Sequence, residues 1–311
     1  MPEPTAVTAT PEAPPTATAS RSLLADAVRR LRRRPDVIVA VVVVVFFTIM
    51  AAFPTLFTST DPQQCIIGDS KIRPQGFGAT HPFGTDVHGC DVLAQLAHGA
   101  RPSLLLAFVV VGASVVIGVV FGLLAGYYLG WVDTVVSRTI EVFLVIPLLL
   151  AALLLLSLFT NVSVGSGTFD VILLPALVLT LFGWMGYARY VRASVLEAKN
   201  LDYVTAARAL GASDLRIMYR HVLPNAIGPV TALIPTAIAG VISAEAVLAF
   251  LGIGVRPPAI SWGIMITRGS EWVTGGYAYL LLIPLACLVL TVLALVVLGD
   301  ALRDALDPRL R

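Results

Sequence analysis

The chain has 311 residues, 57% of them hydrophobic and only 13% charged, against roughly 25% charged in an average soluble domain. Its formal net charge of +2, from 21 basic and 19 acidic residues, is too small to point to a nucleic-acid partner. Charge-free runs at 37–57, 102–132, 142–169, 171–188, 222–244 and 272–299 each approach or exceed the ~18 apolar residues that mark a membrane span, so the composition excludes a soluble fold and points to an all-α, multi-pass membrane protein.

Residues 1–20 are rich in Pro, Ala and Thr; such a stretch cannot bury enough apolar surface to offset its ordering entropy, and a disordered tail is expected. The segment 21–35 is basic, with Arg29, Arg30, Arg32, Arg33 and Arg34 just ahead of the apolar run Val37–Phe57. A secretory signal core has about 7 to 15 apolar residues. The run here is longer and reads as a retained first span, 36–57, anchored by its basic flank.

The segment 58–102 holds two of the three cysteines, Cys65 and Cys90. Either a disulfide or two unlinked thiols fits the sequence, which does not give their separation. Cys287 lies inside an apolar run and reads as a small packing residue. His81, His88, Cys90 and His98 share this segment, but their spacing fits no standard metal pattern, and no metal site is expected.

Five further spans follow at about 103–129, 139–160, 170–190, 226–251 and 278–299, so 103–308 forms the core domain. An even number of spans puts both termini on one side. That side collects six basic residues before span one, Arg138, six at and beyond the end of span four, and three after span six. The other side keeps five, Lys71, Arg73, Arg101, Arg256 and Arg268. The positive-inside rule therefore places both termini in the cytoplasm. Prolines at 147, 175, 235 and 284 each remove a backbone hydrogen bond and are expected to kink their spans. Gly112, Gly118, Gly122 and Gly126 form a small-residue stripe suited to close helix contact. Gly165-Ser166-Gly167 is no serine nucleophile site, because no histidine in spans three to six can serve it as a base. Nor is there a GxxxxGK[ST] phosphate loop, so no catalytic residue is expected.

Between spans four and five, Leu201–Pro229 breaks into two short helical pieces around Gly211. The first, Tyr203–Leu210, carries Val204, Ala207 and Leu210 at helical spacing; Ser213 can cap the second, with Asp214 in its first turn. That second piece continues through Arg216, Ile217, Tyr219, Arg220 and His221 before Pro224 opens span five. A helix–Gly–helix pair along the membrane reads as a docking element for a partner or as an amphipathic helix resting on lipid headgroups. Within span five, Glu245 lies about six residues from the outer end, roughly 9 Å at 1.5 Å per residue. A carboxyl at that depth either faces a translocation pathway or hydrogen-bonds a neighbouring helix, and the structural role is favoured. Glu141 and Asp170, near span ends, are assigned no function.

The loop DYVTAARALGASDLRIMYRHVLPNA resembles the "EAA" loop of ABC importer permeases, in the form found in dipeptide, oligopeptide and nickel permeases. Ala206 and Ala207 stand in its alanine positions, Gly211 in its glycine and Leu223-Pro224 at its close, while Thr205 replaces its leading Glu. HPFGTDVHGCDVLAQLAHGARPSLL, AGYYLGWVD and the stretch Glu245–Pro258 with Ser261-Trp262-Gly263 are similar to further segments of the same subfamily. Cys90 departs from the Gly-Arg-Asp common there; with Cys65 upstream, the resemblance makes the disulfide more attractive. The resemblance covers about residues 36–308 and is nearest the C-type subunit of the permease pair.

What it implies is a type I importer permease fold of six transmembrane helices in the cytoplasmic membrane. The ATPase-coupling loop, 201–225, would include Tyr203, Ala206, Ala207, Leu210, Gly211, Asp214, Ile217, Arg220, Leu223 and Pro224. Implied partners are a second homologous permease, two ABC ATPase subunits that bind ATP and magnesium, an extracytoplasmic substrate-binding protein, membrane lipid and a peptide substrate; the chain itself would hold no cofactor. Nickel or a metal chelate is the alternative cargo. An ion-coupled secondary transporter is the alternative of another class, and would be expected to show paired ionisable residues at mid-membrane or symmetric discontinuous helices.

Overall fold

A computed structural model describes residues 31, 33–63, 65, 74, 76–78, 81–159, 167–255 and 259–306. The expected tail 1–20, most of the basic block, Lys71, Arg73, Arg256, Gly165, Ser166 and the chain end beyond 306 lie outside the described residues. The described elements are helical: α1 Pro35–Ala52, α2 Val92–Tyr128, α3 Gly130–Val145, α4 Leu148–Leu158, α5 Thr168–Ala198, α6 Asp202–Ala209, α7 Asp214–Ile217, α8 Leu223–Ala226, α9 Gly228–Phe250, α10 Trp262–Ser270 and α11 Tyr279–Leu306. A single 3₁₀ turn, Pro54–Leu56, follows α1, and a π turn, Met218–Val222, joins α7 to α8. Five of the helices (α1, α2, α5, α9 and α11) are long and apolar enough to cross a membrane; α3 and α4 taken together make a sixth such segment.

The expected third span needs correction. A continuous apolar run predicts one helix over 139–160, whereas α3 and α4 meet at 84°. The cause is local. Proline disfavours the helical region for the residue before it, and Ile146 takes φ −83, ψ 120 ahead of Pro147, itself extended at φ −62, ψ 118. Two extended residues in succession end one helix and re-aim the next. Pro175, Pro235 and Pro284 instead sit inside unbroken helices, as does Pro102.

Helix bounds also depart from the apolar runs: α1 stops at Ala52, short of the expected 57, while α2 and α5 run past theirs. The second span was expected from 103, but α2 begins at Val92, where Asp91 caps it by accepting from the Ala94 N–H at 2.9 Å. About ten residues, roughly 15 Å of helix, therefore precede the apolar part. Asp91 is oriented in turn by His81 Nδ1 at 2.8 Å. At the same end, Cys65 and Cys90 are joined in a disulfide, Cα to Cα 4.2 Å. His98 Nδ1 pairs with the Ala94 carbonyl at 3.0 Å, so His81, Cys90 and His98 have separate engagements.

Helices α2 and α5 form the central pair. A Cβ added at Gly118 would meet Tyr187 Cβ at 2.5 Å, at Gly122 the Ala188 carbonyl at 2.5 Å, and at Gly126 Val195 at 2.8 Å. Three of the four stripe glycines thus allow the two backbones to approach. Gly112, the fourth, has nothing within 4 Å of its would-be Cβ and does not belong to the contact. Around this pair α1, α9 and α11 enclose a core of Phe47, Val111, Val191, Val230, Ile242 and Leu295.

The segment after span five, expected as a loop, contains α10. Trp262, its first residue, is the largest fully buried side chain and packs edge-on against Phe47, ring centroids 5.2 Å apart.

Candidate functional site

Two places concentrate unusual chemistry: the 201–225 loop at one end of the bundle and Glu245 toward the other.

The loop is built on a glycine turn. Helix α6 ends at Ala209, and Gly211 takes φ +82, a value open to glycine at little cost. This lets the Ala212 N–H reach the Ala207 carbonyl at 3.1 Å and the Gly211 N–H reach Arg208 at 3.0 Å. Those are the paired bonds of a Schellman cap, satisfying carbonyls that the helix end would leave open. Beyond it, Ser213 has the extended backbone of an N-cap, but its side chain makes no capping bond. That corrects the expected cap. Pro224 also does not open the fifth span; it lies in the separate short helix α8, ahead of α9.

Side chains divide sharply between two faces. Val204, Ile217, Met218 and Val222 are buried and hold the loop to the bundle. Leu210, Leu215 and Tyr219 are 89%, 73% and 72% exposed. Of the residues singled out from sequence, Tyr203, Ala206, Leu210, Gly211, Asp214, Arg220 and Pro224 are exposed, Ala207 and Leu223 half-buried, and Ile217 fully buried. Ile217 is thus an anchor, not a contact surface. Leu215 and Tyr219 belong to the exposed face as well; Tyr219 was placed in the second piece without being counted among the coupling residues, and Leu215 was missed. Leu215 stands two residues from Ile217, so a helical turn directs the two oppositely, which a helical-wheel reading from Ser213 would have found.

The loop is tied to the bundle by polar links. Tyr127 Oη, in the last turn of α2, donates to Asp214 Oδ1 at 2.6 Å. Asn225 Nδ2 donates to Tyr203 Oη and to the His221 carbonyl, both at 2.8 Å, bridging α6 to α8. Lys199 Nζ, at the end of α5, donates to the Gly126 carbonyl at 2.9 Å, placing positive charge where α2 ends and its dipole is negative. Partial burial lowers the Lys199 pKa below the usual lysine value, with Asp133 opposing the shift. Arg192 grips Asp133 with two donors, at 2.5 and 2.7 Å, across the turn that joins α2 to α3. In that turn Leu129 has φ +56, a strained conformation for a residue with a Cβ.

Glu245 is 1% exposed and among the largest fully buried side chains. Ser261 Oγ donates to its Oε1 at 2.7 Å, and Ser103 Oγ lies 3.5 Å from its Oε2. The hydroxyl directions follow from their other partners. Ser261 Oγ already accepts from the Ile264 N–H, and Ser103 Oγ from the Trp262 N–H, each at 3.2 Å. Both protons are thus left for the carboxyl. Trp262 Nε1 adds a bond to the Leu96 carbonyl at 3.0 Å. At Gly263 a Cβ would stand 2.9 Å from Ala246 Cα and 3.1 Å from Glu245 Oε2, so Ser261-Trp262-Gly263 clamps α10 against α2 and α9. In this structure the Glu245 carboxyl is buried and engaged by Ser261 and Ser103 inside the subunit.

Comparison with known proteins gives consistent relatives. Residues 118–311 match the family described as binding-protein-dependent transport system inner membrane component, and residues 22–73 match the N-terminal TM domain of oligopeptide transport permease C. The dipeptide transport system permease protein DppC of Bacillus subtilis (strain 168) is 36% identical, over 94% of this chain and 88% of the relative. The oligopeptide transport system permease protein OppC of the same organism is 33% identical, over 94% and 92%. The glutathione transport system permease protein GsiD of Pectobacterium atrosepticum is 35% identical, over 76% and 75%. Among solved structures, an inward-facing MetNI methionine ABC transporter superposes with a TM-score of 0.53 at 21% identity, over 68% of this chain and 96% of that one.

Proposed function

Because the chain belongs to the inner membrane components of binding-protein-dependent ABC importers, in the dipeptide and oligopeptide permease branch, we propose that it is one permease subunit of an ATP-driven peptide importer. Two cytoplasmic ATPases, carrying the ATP and magnesium, a second related permease and an extracytoplasmic binding protein complete the machine. Both termini and the 201–225 loop lie in the cytoplasm, and six spans cross the membrane, with α3 and α4 together as the third. Supporting the peptide cargo are its dipeptide, oligopeptide and glutathione transport relatives.

The observation that carries the reading is the pair of exposed leucines and the exposed tyrosine on a polar-anchored loop. Apolar side chains this exposed at a cytoplasmic surface favour a protein contact, and Leu210, Leu215 and Tyr219 project from a turn that Gly211 fixes. A groove on an ATPase would cover them. Closure of the ATPases would then push α6 and α7, and the push would reach α2 through Asp214 and Tyr127 and pass to α5 through Lys199. Rigid rocking of packed helices is the change such a push produces. The tight α2–α5 contact suits that motion, since its glycines leave no compressible gap.

Co-purification after mild solubilisation tests this. A second permease, two ATPase chains and ATP hydrolysis stimulated by peptide in the presence of the binding protein are expected. A chain recovered alone that transports with an ion gradient and no ATP would overturn the reading in favour of a secondary transporter, and a metal-stimulated rate would move the cargo to nickel or a chelate.

A further inference from the structure

Arg101 sits three turns into α2, at the level where α1 ends and α5 begins. Its Nε donates to the Ala51 carbonyl at 3.0 Å and its Nη2 to the Ala52 carbonyl at 2.8 Å, closing the end of α1. A guanidinium has five N–H donors, and these two bonds leave its other edge unused. The side chain is exposed, and no carboxylate forms an ion pair with it among the described residues. Asp170, the acid nearest this level on α5, turns back to accept from the Gly167 N–H at 3.1 Å.

Two cavities adjoin at this arginine and share both Arg101 and Thr168. One, of about 420 Å³, runs between α1, α2 and α5 and is lined by Thr48, Ala52, Leu104, Leu105, Phe108 and Phe169. From Arg101 to Phe108 it follows α2 for roughly 10 Å at 1.5 Å per residue. The other, of about 190 Å³, lies on the far side of the arginine beside Gln63, His98 and Pro102. His98 uses Nδ1 on the Ala94 carbonyl, which leaves Nε2 for that cavity. An apolar groove, a cation at its mouth with no ion pair among the described residues, and a smaller chamber carrying Gln63 and His98 beyond it are ordered as a phospholipid is: acyl chain, phosphate, headgroup.

We propose that these two cavities form a phospholipid site, with the phosphate held by Arg101 and one acyl chain lying along the groove toward Phe108. A charge-assisted bond between guanidinium and phosphate supplies recognition. The bound lipid would pack α1 to α2 and α5 at the point where Arg101 already ties α2 to the end of α1.

Lipid exchange followed by native mass spectrometry of the purified complex tests the proposal, with phosphatidylglycerol as probe and inorganic phosphate as the competing source of the same chemistry. One tightly held phosphatidylglycerol for this chain is expected in the unmodified complex. Arg101→Gln should weaken it by about tenfold, as loss of a charge-assisted bond does. Ala52→Trp, which fills the groove and leaves the Ala52 carbonyl in place, should abolish it while the complex stays assembled. Retention equal to wild type in Ala52→Trp would overturn the site. Displacement of the lipid by inorganic phosphate alone would reduce it to an anion site and overturn the groove. Cross-linking of an Ala52→Cys variant to the second permease in native membrane would overturn the site by showing that protein, not lipid, covers this face.

Discussion

The 201–225 loop and the Glu245 cluster invert the usual distribution of polarity, in opposite senses. The loop holds leucines at 89% and 73% exposure, while the cluster buries a carboxyl at 1%. In the cluster every inversion is resolved internally: two serine hydroxyls, each oriented by a backbone N–H, meet the two carboxyl oxygens. In the loop none is. Its polar groups bond inward, through Asp214 and Asn225, and its apolar ones face away from the subunit. A buried polar group satisfied within the chain contributes to the chain's own architecture, and an exposed apolar group left uncovered is read as an incomplete interface. The first region should therefore govern stability and the second assembly.

That division can be broken by experiment. The largest stability effect is expected at Glu245→Leu, which orphans two buried hydroxyls at about 1–3 kcal/mol each; thermal unfolding of the purified subunit should fall well below wild type. Glu245→Gln keeps an acceptor for one hydroxyl and should lose less. Equal losses in the two variants would contradict the hydrogen-bond account.

Gly211→Val comes next. Nothing lies within 4 Å of its would-be Cβ, so the cost is conformational, about 1–3 kcal/mol for a left-handed β-branched residue, and confined to the turn. Membrane levels should stay near wild type while peptide-stimulated ATPase activity and uptake separate. Gly211→Asn, which tolerates that φ better, should restore much of the coupling. Unchanged uptake in the valine variant would count against the loop's role.

Tyr127→Phe removes one hydrogen bond, about 0.5–1.5 kcal/mol. Its expected signature is ATP hydrolysis with reduced transport, since the link from loop to α2 is cut while the docking face survives. Smallest in stability is Leu215→Glu, within about 0.5 kcal/mol for an exposed position. Yet it should lower ATPase retention on affinity purification more than any of the others. If it left assembly intact and destabilised the chain, the contrast between the two regions would be wrong.

Much of this was legible in the sequence, for identifiable reasons. Long apolar runs fix where helices cross, and Gly211 between two helix-forming stretches marks a turn whatever its surroundings. The bend at Ile146-Pro147 was not legible as a break, because hydropathy does not distinguish a kinked proline from one whose predecessor has turned extended; Pro175 and Pro235 have similar contexts and stay helical. The first turns of α2 escaped because residues 92–101 are helical without being uniformly apolar. Helix α10 escaped as well: nine residues between two spans carry too little periodicity to separate from a loop. Glu245 shows the same limit at one residue. The sequence gives its depth, but its partners Ser103 and Ser261 lie 142 and 16 residues away, and only the fold brings them together.

The central claim, that the exposed loop face is an ATPase contact, is tested most directly by a photo-reactive amino acid placed at Leu215 in intact cells. The account predicts a cross-linked product between this chain and an ATPase subunit. Adducts with lipid alone would contradict it and identify the loop as an amphipathic element lying on the membrane surface.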